Sequence, residues 1–154
     1  MPTQTQCGFN DSGLAKGNEL LTLLGPTLVV DVGYDSSYGE GSTSAPEPGI
    51  KQLGALVDTG AGESCIDNLL AATLNLPVID RKAIAGSSGA HVTNVYLAQI
   101  HIPSLNYTIY GQFAGVDLIA GGQFHQVLIG RTFLANFRMI YEGDTGTVTL
   151  TKLS

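Results

Sequence analysis

The sequence contains no tryptophan, only two cysteines and few charged residues. Charged side chains make up 13% of its 154 residues, and the seven Lys and Arg residues are scattered rather than gathered in a stripe. With a formal net charge of -6, the chain lacks the basic surface that binding to nucleic acid requires. No apolar run approaches the roughly 18 residues that a membrane-spanning helix needs. We therefore predict no nucleic-acid partner and no membrane span.

The cysteines and histidines form no metal-binding pattern. Cys7 and Cys65 have no CxxC spacing, and His91, His101 and His125 lack an HExxH or other paired spacing. The N-terminal stretch is polar where a secretory signal would need a basic end and an apolar segment. We therefore predict a cytoplasmic protein with two free thiols, no metal and no cofactor.

Glycine and β-branched residues are abundant. Twenty glycines without a period, short apolar runs and many Val, Ile, Thr and Tyr residues indicate a protein of strands and turns. The length suits one domain, because domains commonly contain about 100 to 150 residues. We predict an all-β fold with short helices, in which 1–24 is an N-terminal extension and 25–154 is the domain.

Local patterns place the elements along the chain. Turn residues at 34–49 predict an exposed loop. Helical spacing of apolar residues predicts a short helix over 66–76, and a helical turn is expected at 131–137. A hairpin is expected over 139–150. Other strands are predicted at 27–33, 51–57, 78–84, 92–102, 107–113 and 127–130.

Asp58 directly follows an apolar run. A carboxylate at the end of a buried strand is costly unless it is hydrogen-bonded or shares its charge. Thr59 and Gly60 supply a hydroxyl and an unhindered backbone, which suit a tight turn whose N–H groups face the carboxylate. An isolated Asp-Thr-Gly could equally form a simple Asx turn. The surrounding sequence is what favours a catalytic role.

Two longer segments, ALVDTGAGESCIDNLL and VLIGRTFL, resemble the retropepsin-like aspartic peptidases. The similarity spans most of residues 27–150. It implies a single-lobe acid protease fold with a closed, barrel-like sheet, a flap hairpin and a homodimer. The order of DTGA, a short helix and Leu-Pro is more similar to bacterial members of the family than to viral ones.

The resemblance also implies roles for individual residues. Asp58 is the catalytic residue, and the hydroxyl of Thr59 bridges to the partner chain. Support for the active site comes from Thr59, Gly60 and Ala61. The flap tip that binds substrate is formed by Gly86, Ser87, Ser88 and Gly89. The strand and turn beside the motif contain Leu128, Ile129, Gly130 and Arg131.

This sequence departs from the viral pattern in two ways. In retroviral members an acidic residue after the motif pairs with the arginine equivalent to Arg131, whereas Gly62 occupies that position here. Glu63 is the candidate partner that remains. The N-terminal segment and the 34–49 loop exceed the compact viral form, so the dimer seam, built from chain termini in viral members, can be built differently here.

One catalytic aspartate per chain implies two chains. Peptide hydrolysis of this kind needs one carboxylate to accept a proton from water and another to donate one to the carbonyl. A second Asp-Thr-Gly begins at Asp144, but Glu142 and Gly143 precede it instead of an apolar run, which predicts a hairpin turn. A two-fold axis would bring Asp58 of two chains together. We therefore predict a homodimeric aspartic endopeptidase acting on peptides or proteins; the alternative is a catalytically silent module that dimerises or binds peptides.

Overall fold

A computed structural model describes residues 3–86 and 89–153 of the chain. Strands dominate these residues, and the helices are short, which confirms the predicted all-β fold with short helices. The helices are α1 (Gly17–Leu24), α2 (Asn68–Thr73) and α3 (Arg131–Leu134), with a 3-10 turn at Pro103–Leu105. The strands are β1 (Gln4–Gln6), β2 (Thr27–Gly33), β3 (Ile50–Val57), β4 (Cys65–Asp67), β5 (Val78–Gly86), β6 (Gly89–Ile102), β7 (Tyr107–Val116), β8 (Val127–Ile129), β9 (Phe137–Glu142) and β10 (Thr147–Lys152). No helix in the described ranges is long and apolar enough to cross a membrane.

The larger sheet closes on itself. Its seven strands follow the order β2-β3-β8-β4-β7-β6-β5, and β2 also pairs with β6. Six strands therefore form a closed ring, and β5 lies outside it. The closing pair places Asp31 opposite His101 and Gly33 opposite Gln99. Closure gives every strand of the ring a neighbour on both sides, and it confirms the predicted barrel-like sheet.

Aliphatic side chains at alternating strand positions fill the barrel. In β2, Leu28, Val30 and Val32 are buried, whereas Val29 between them is 55% exposed. Alternation follows from the pleat of a strand, which turns successive side chains to opposite faces. Burial of one such side chain contributes about 1.5–3 kcal/mol, so the barrel is held together mainly by its interior.

The first residues of the chain pack against the barrel domain. β1 pairs with β10, and the other edge of β10 pairs with β9, forming a three-stranded sheet. Cys7 and Leu21 lie in the hydrophobic core. The amide of Cys7 donates to the carbonyl of Val148 at 2.9 Å, and the amide of Thr27 donates to the carbonyl of Cys7 at 2.7 Å. The domain boundary after residue 24 stays a prediction.

The predicted helix over 66–76 begins later than its apolar spacing indicates. β4 occupies the start of that segment, and Cys65 and Ile66 pair with both β7 and β8. Asp67 then caps α2, because its Oδ2 accepts a hydrogen bond from the amide of Leu70 at 3.3 Å. Pairing with two neighbouring strands thus overrides the helical periodicity of the first residues.

Candidate active site

Asp58 lies at the end of β3, beside the parallel strand β8. Val57 pairs with Ile129, and both side chains are buried. The amide of Asp58 donates to the carbonyl of Ile129 at 2.9 Å, so the strand pairing continues as far as the aspartate. Asp58 itself is half-buried. The core of the barrel therefore delivers one carboxylate to the surface at a defined place.

The Asp-Thr-Gly sequence forms a tight turn around this carboxylate. The amide of Gly60 donates to Asp58 Oδ1 at 2.8 Å, and the amide of Ala61 donates to the carbonyl of Asp58 at 3.2 Å. A Cβ atom on Gly60 would lie 3.0 Å from Oδ1, so glycine eases this close approach. Thr59 is exposed in the turn. An ordinary Asx turn has the same side-chain bond, so the contacts that brace this turn distinguish the site.

Main-chain bonds from the start of α3 brace the turn. The amide of Arg131 donates to the carbonyl of Ala61 at 2.9 Å, and the amide of Thr132 donates to the carbonyl of Gly62 at 3.0 Å. The side chain of Arg131 adds a third bond, from Nη1 to the carbonyl oxygen of Thr59 at 2.7 Å. These three hydrogen bonds tie the carbonyls of Thr59, Ala61 and Gly62 to α3, so the turn has little freedom to move away from it.

Gly130 approaches the motif so closely that a side chain has no room there. A Cβ atom on Gly130 would lie 2.6 Å from the carbonyl carbon and oxygen of Glu63. The amide of Gly130 donates to the Oγ of Ser64 at 3.0 Å, and Ser64 is buried. Gly130 and Ser64 therefore form a second point of attachment between the motif and the segment after β8.

Glu63 does not supply the carboxylate that Arg131 was expected to need. Its Oε2 pairs instead with Nζ of Lys82 on β5, at 3.1 Å. The two side chains are 66% and 41% exposed, so the pair contributes at most about 1 kcal/mol. Its position is more informative than its strength, because it links the motif to the β5–β6 hairpin. Among the described residues, the motif makes one ion pair, and it is this one.

Cys65, close to the motif in sequence, is poorly placed to act as a nucleophile. Burial raises the pKa of the Cys65 thiol. The negative charge of Glu63 and that of Asp58 also raise this pKa, whereas the positive charge of Lys82 lowers it. The thiol therefore stays protonated at neutral pH, and a protonated thiol is a poor nucleophile.

The β5–β6 hairpin carries the residues expected to form a flap. Gly86 pairs with Gly89 at its end, and Gly89 has a φ of +106°, which suits glycine. Ser87 and Ser88 lie outside the described residues. The role of this hairpin as a flap stays a prediction.

The second Asp-Thr-Gly forms the hairpin turn expected of it. It lies between β9 and β10, where the amide of Gly146 donates to the carbonyl of Glu142 at 3.0 Å. Gly146 has a φ of +84°, the left-handed conformation that often ends such a turn. Asp144 therefore lies at an exposed turn rather than at the end of a buried strand.

Asp67 is a buried acid whose role the sequence did not reveal. It is 2% exposed, and its Oδ1 accepts hydrogen bonds from the amides of Leu118 and Ile119 at 2.8 Å and 3.3 Å. Together with its cap on α2, these bonds anchor the segment after β7. The signal available in sequence was an Asp just before an apolar helical run, which indicates a helix cap but not the second attachment.

Two of the histidines, His101 and His125, make hydrogen bonds to hydroxyl groups. Nε2 of His125 lies 2.8 Å from Oγ1 of Thr27, and Nδ1 of His101 lies 2.9 Å from Oγ1 of Thr108. His125 is buried, and this burial lowers its pKa. Within residues 3–86 and 89–153, no group of three or more His, Cys, Asp and Glu side chains is arranged to hold a metal ion.

Comparison with known proteins gives a structural similarity and no relative in sequence. No protein-family model matches the chain, and no curated protein matches it. Among solved structures, the EIAV protease complexed with the inhibitor HBY-793 is similar at 18% identity and a TM-score of 0.47. The match covers 71% of this chain and 85% of that chain. The chemistry open to the site follows from its own residues, and Asp58 is the acid that they hold in place.

Proposed function

We propose that the chain is an aspartic endopeptidase whose active site contains Asp58 from two copies. The observation that carries the proposal is the braced turn. A buried strand delivers the carboxylate, the amide of Gly60 holds one of its oxygens, and Arg131 ties the turn to α3. A catalytic group must be held within a fraction of an ångström of its working position, and such a network serves that need.

Two such carboxylates about 3 Å apart cannot both be charged, so they share one proton. The ionised Asp58 takes a proton from a water molecule, and the oxygen of that water forms a bond to the carbonyl carbon of the peptide. The protonated Asp58 gives its proton to the carbonyl oxygen at the same time. The Asp58 that took the proton from water then gives it to the peptide nitrogen, and the other Asp58 takes a proton from one hydroxyl of the tetrahedral intermediate. The C–N bond breaks, an amine and a carboxylic acid are released, and the two carboxyl groups again share one proton.

The remaining parts of the proposal follow from one Asp58 per chain. Two copies related by a two-fold axis form the site, and the exposed hydroxyl of Thr59 reaches toward the partner chain. An extended peptide binds between the dyad and the β5–β6 hairpins, which act as flaps. We place this homodimer in the cytoplasm, in keeping with the two free thiols, and assign residues 25–154 to a protease domain of the bacterial single-lobe kind.

Cleavage of an unfolded protein, with and without pepstatin, tests the activity. We expect the wild type to cleave, pepstatin to inhibit it, and Asp58→Asn to be inactive while remaining folded. Asp144→Asn is the matched control, because it removes the acid of the other Asp-Thr-Gly, and it should keep nearly full activity. A folded dimer that cleaves nothing would favour the silent peptide-binding module.

Subunit mixing tests whether the site is shared. When wild type and Asp58→Asn are mixed in equal amounts and re-pair at random, half of the wild-type chains should enter inactive mixed dimers. Activity per wild-type chain should therefore fall to about half. Wild type diluted with an inert protein controls for dissociation. Undiminished activity, once mass spectrometry has shown that subunits exchanged, would mean that each Asp58 works alone.

A further inference from the structure

We infer that the first half of β7 is a second peptide-binding site, which takes an extended, uncharged segment of an unfolded polypeptide as an added strand. β6 pairs with β7 from Tyr107 to Ala114, whereas β4 pairs with it only from Ala114 to Val116. No strand of the described residues lies along the other edge of 107–113. The inference goes beyond the proposed function, because binding at this edge requires no catalysis by Asp58.

The brace of the active-site turn leaves this edge uncovered. β4 runs parallel to β7, and its register would bring Ser64 beside Phe113 if β4 began earlier. Instead, the hydroxyl of Ser64 accepts a hydrogen bond from the amide of Gly130, and the chain before Ser64 is bonded to α3. The segment that could have paired with 107–113 is therefore held away from it.

The main chain of three residues, Thr108, Tyr110 and Gln112, faces the uncovered edge. The amide of Leu97, on β6, donates to the carbonyl of Pro77 at 2.9 Å, on the side of β6 away from β7. Leu97 is paired with Gln112, so this pair has no hydrogen bonds between β6 and β7. Hydrogen-bonded and non-hydrogen-bonded pairs alternate along an antiparallel ladder, so all three residues direct their N–H and C=O groups away from β6. In the described part of the chain, no main chain of a loop or helix bonds to these groups.

This edge lacks the features that protect exposed strand edges. Residues 107–113 read YTIYGQF, without a charged residue or a proline, and their register with β6 is unbroken. By contrast, the free edge of β5 has a register irregularity near its start and carries Arg81 and Lys82. Proteins use charges, prolines and irregular pairing to prevent other strands from adding to an edge. The β7 edge is therefore open to an added strand.

The uncovered edge lies in a groove that admits a single strand. A cavity of about 330 Å³ separates β7 from a facing wall, and cavities of this size hold short ligands. The wall contains residues of the motif, of β5 and of the α3 region, namely Glu63, Ser64, Lys82, Thr132, Phe133 and Asn136. An added strand would lie about 4.8 Å from β7, inside this groove. A second folded copy has the same wall beside its own β7, so it cannot bring that edge into the groove.

The walls of the groove select the chemistry of the segment. Tyr107 and Ile109 line the cavity and pack against the core, and the ring of Tyr107 lies 5.7 Å from that of Phe133. Apolar side chains at alternate positions of the added strand would contact these groups. Glu63 and Lys82 neutralise each other across 3.1 Å, so the groove has no net charge that would attract a charged segment. Segments of alternating apolar residues are largely buried in folded proteins and exposed in unfolded ones.

Binding of a designed peptide tests the site. The probe is a peptide of alternating Thr and Val residues with blocked ends, titrated calorimetrically into Asp58→Asn so that it is not cleaved. Asn136→Trp, added to that chain, fills the groove and should weaken binding at least about tenfold. Ala135→Trp is the matched control, because Ala135 is exposed next to Asn136 but does not line the cavity, and it should leave the affinity unchanged. Circular dichroism checks that each variant is folded.

A proline in β7 tests the main-chain pairing. Tyr110→Pro removes an N–H group that faces the groove, and it leaves the hydrogen bonds between β6 and β7 in place. It should weaken binding about tenfold or more, whereas Tyr110→Val keeps the N–H group and should bind as before. Hydrogen exchange locates the peptide independently, because the amides of Tyr110 and Gln112 should exchange more slowly when the peptide is bound. If Tyr110→Pro does not fold, the two tryptophan variants and hydrogen exchange decide.

The possible failures are distinct. Equal affinity of the Asn136→Trp and Ala135→Trp chains, or unchanged exchange at Tyr110 and Gln112, would overturn the site. A change of oligomeric state in Tyr110→Pro without peptide, measured by sedimentation velocity, would also overturn it, because the edge would then bind a second copy. Absence of cleavage by the wild type would contradict the proposed function and leave this site standing, since binding is measured in a chain that lacks Asp58.

Discussion

Nη1 of Arg131 lies 2.7 Å from the carbonyl oxygen of Thr59, at the centre of the Asp-Thr-Gly turn. The arginine thus binds a main-chain carbonyl, and Glu63, the acid nearest to hand in sequence, pairs with Lys82. A Cβ atom at Gly62 would lie 3.7 Å from Nη2, so the guanidinium also packs against the position where viral members carry an acid. Arg131 therefore holds the turn through an uncharged acceptor, the main-chain carbonyl of Thr59, and not through a carboxylate.

Replacement of Arg131 by Met should lower turnover more than stability. The hydrogen bond to Thr59 is exposed, so we expect a loss of about 1 kcal/mol in the free energy of unfolding. Misplacement of Asp58 should lower kcat by about tenfold to a hundredfold with little change in KM. Lys51→Met, at an exposed position on β3, should change neither quantity. Full kcat in the Arg131 variant would remove its positioning role.

Replacement of Gly130 by Ala should destabilise the protein by about 1–3 kcal/mol or more. The added Cβ would lie 2.6 Å from main-chain atoms of Glu63, and a backbone shift must relieve that contact. Gly39→Ala is the matched control, because nothing lies within 4 Å of a Cβ atom there. Urea unfolding at matched concentration would measure both. Equal stability of the two variants would show that the contact at Gly130 is not restrictive.

His125 should make stability depend on pH in the mildly acidic range. Burial lowers its pKa from the ordinary value of 6.5, so the folded protein keeps this imidazole neutral where the unfolded chain is already protonated. Unfolding then takes up a proton, and stability should fall as pH drops from 6.5 toward the folded-state pKa. The slope from one proton is at most about 1.4 kcal/mol per pH unit.

Urea midpoints of wild type and His125→Gln between pH 7 and pH 4 would measure this contribution. The difference in stability between the two proteins should change with pH only below about 6.5, because glutamine does not titrate. Parallel curves for wild type and His125→Gln would show that His125 takes up no extra proton on unfolding.

Local sequence predicted the elements that local chemistry determines. The strand over 27–33 occurs as predicted, since its apolar alternation and flanking turn residues suffice to define it. The loop at 34–49 and the turn at Asp144 follow from glycine, proline and serine in the same way. The sequence indicated Asp58 because a charged residue directly after an apolar run is unusual, and this can be recognised without knowing which residues surround it in the fold.

Local sequence patterns could not predict contacts between segments that are distant in the chain. β4 was missed because its pairing with β7 and β8 outweighs the helical spacing of its residues. Arg131 binds the carbonyl of Thr59, and Glu63 pairs with Lys82. This choice of partners depends on how α3 and β5 are placed relative to the motif. Likewise, β1 has no apolar run of its own, and it exists because β10 offers it an edge.

The pairing of β1 with β10 joins Gln4 to Thr151, residues 147 positions apart in sequence. Closing so long a loop carries a large entropic cost, and contacts between distant residues form slowly during folding. The β9–β10 hairpin, by contrast, joins neighbours in sequence and can form early. During synthesis β1 therefore stays unpaired until β10, the second strand of the β9–β10 hairpin, has been made. The three-stranded sheet is therefore completed only after β10 has been synthesised, whereas the strands of the closed ring, which end at Ile129, are available earlier.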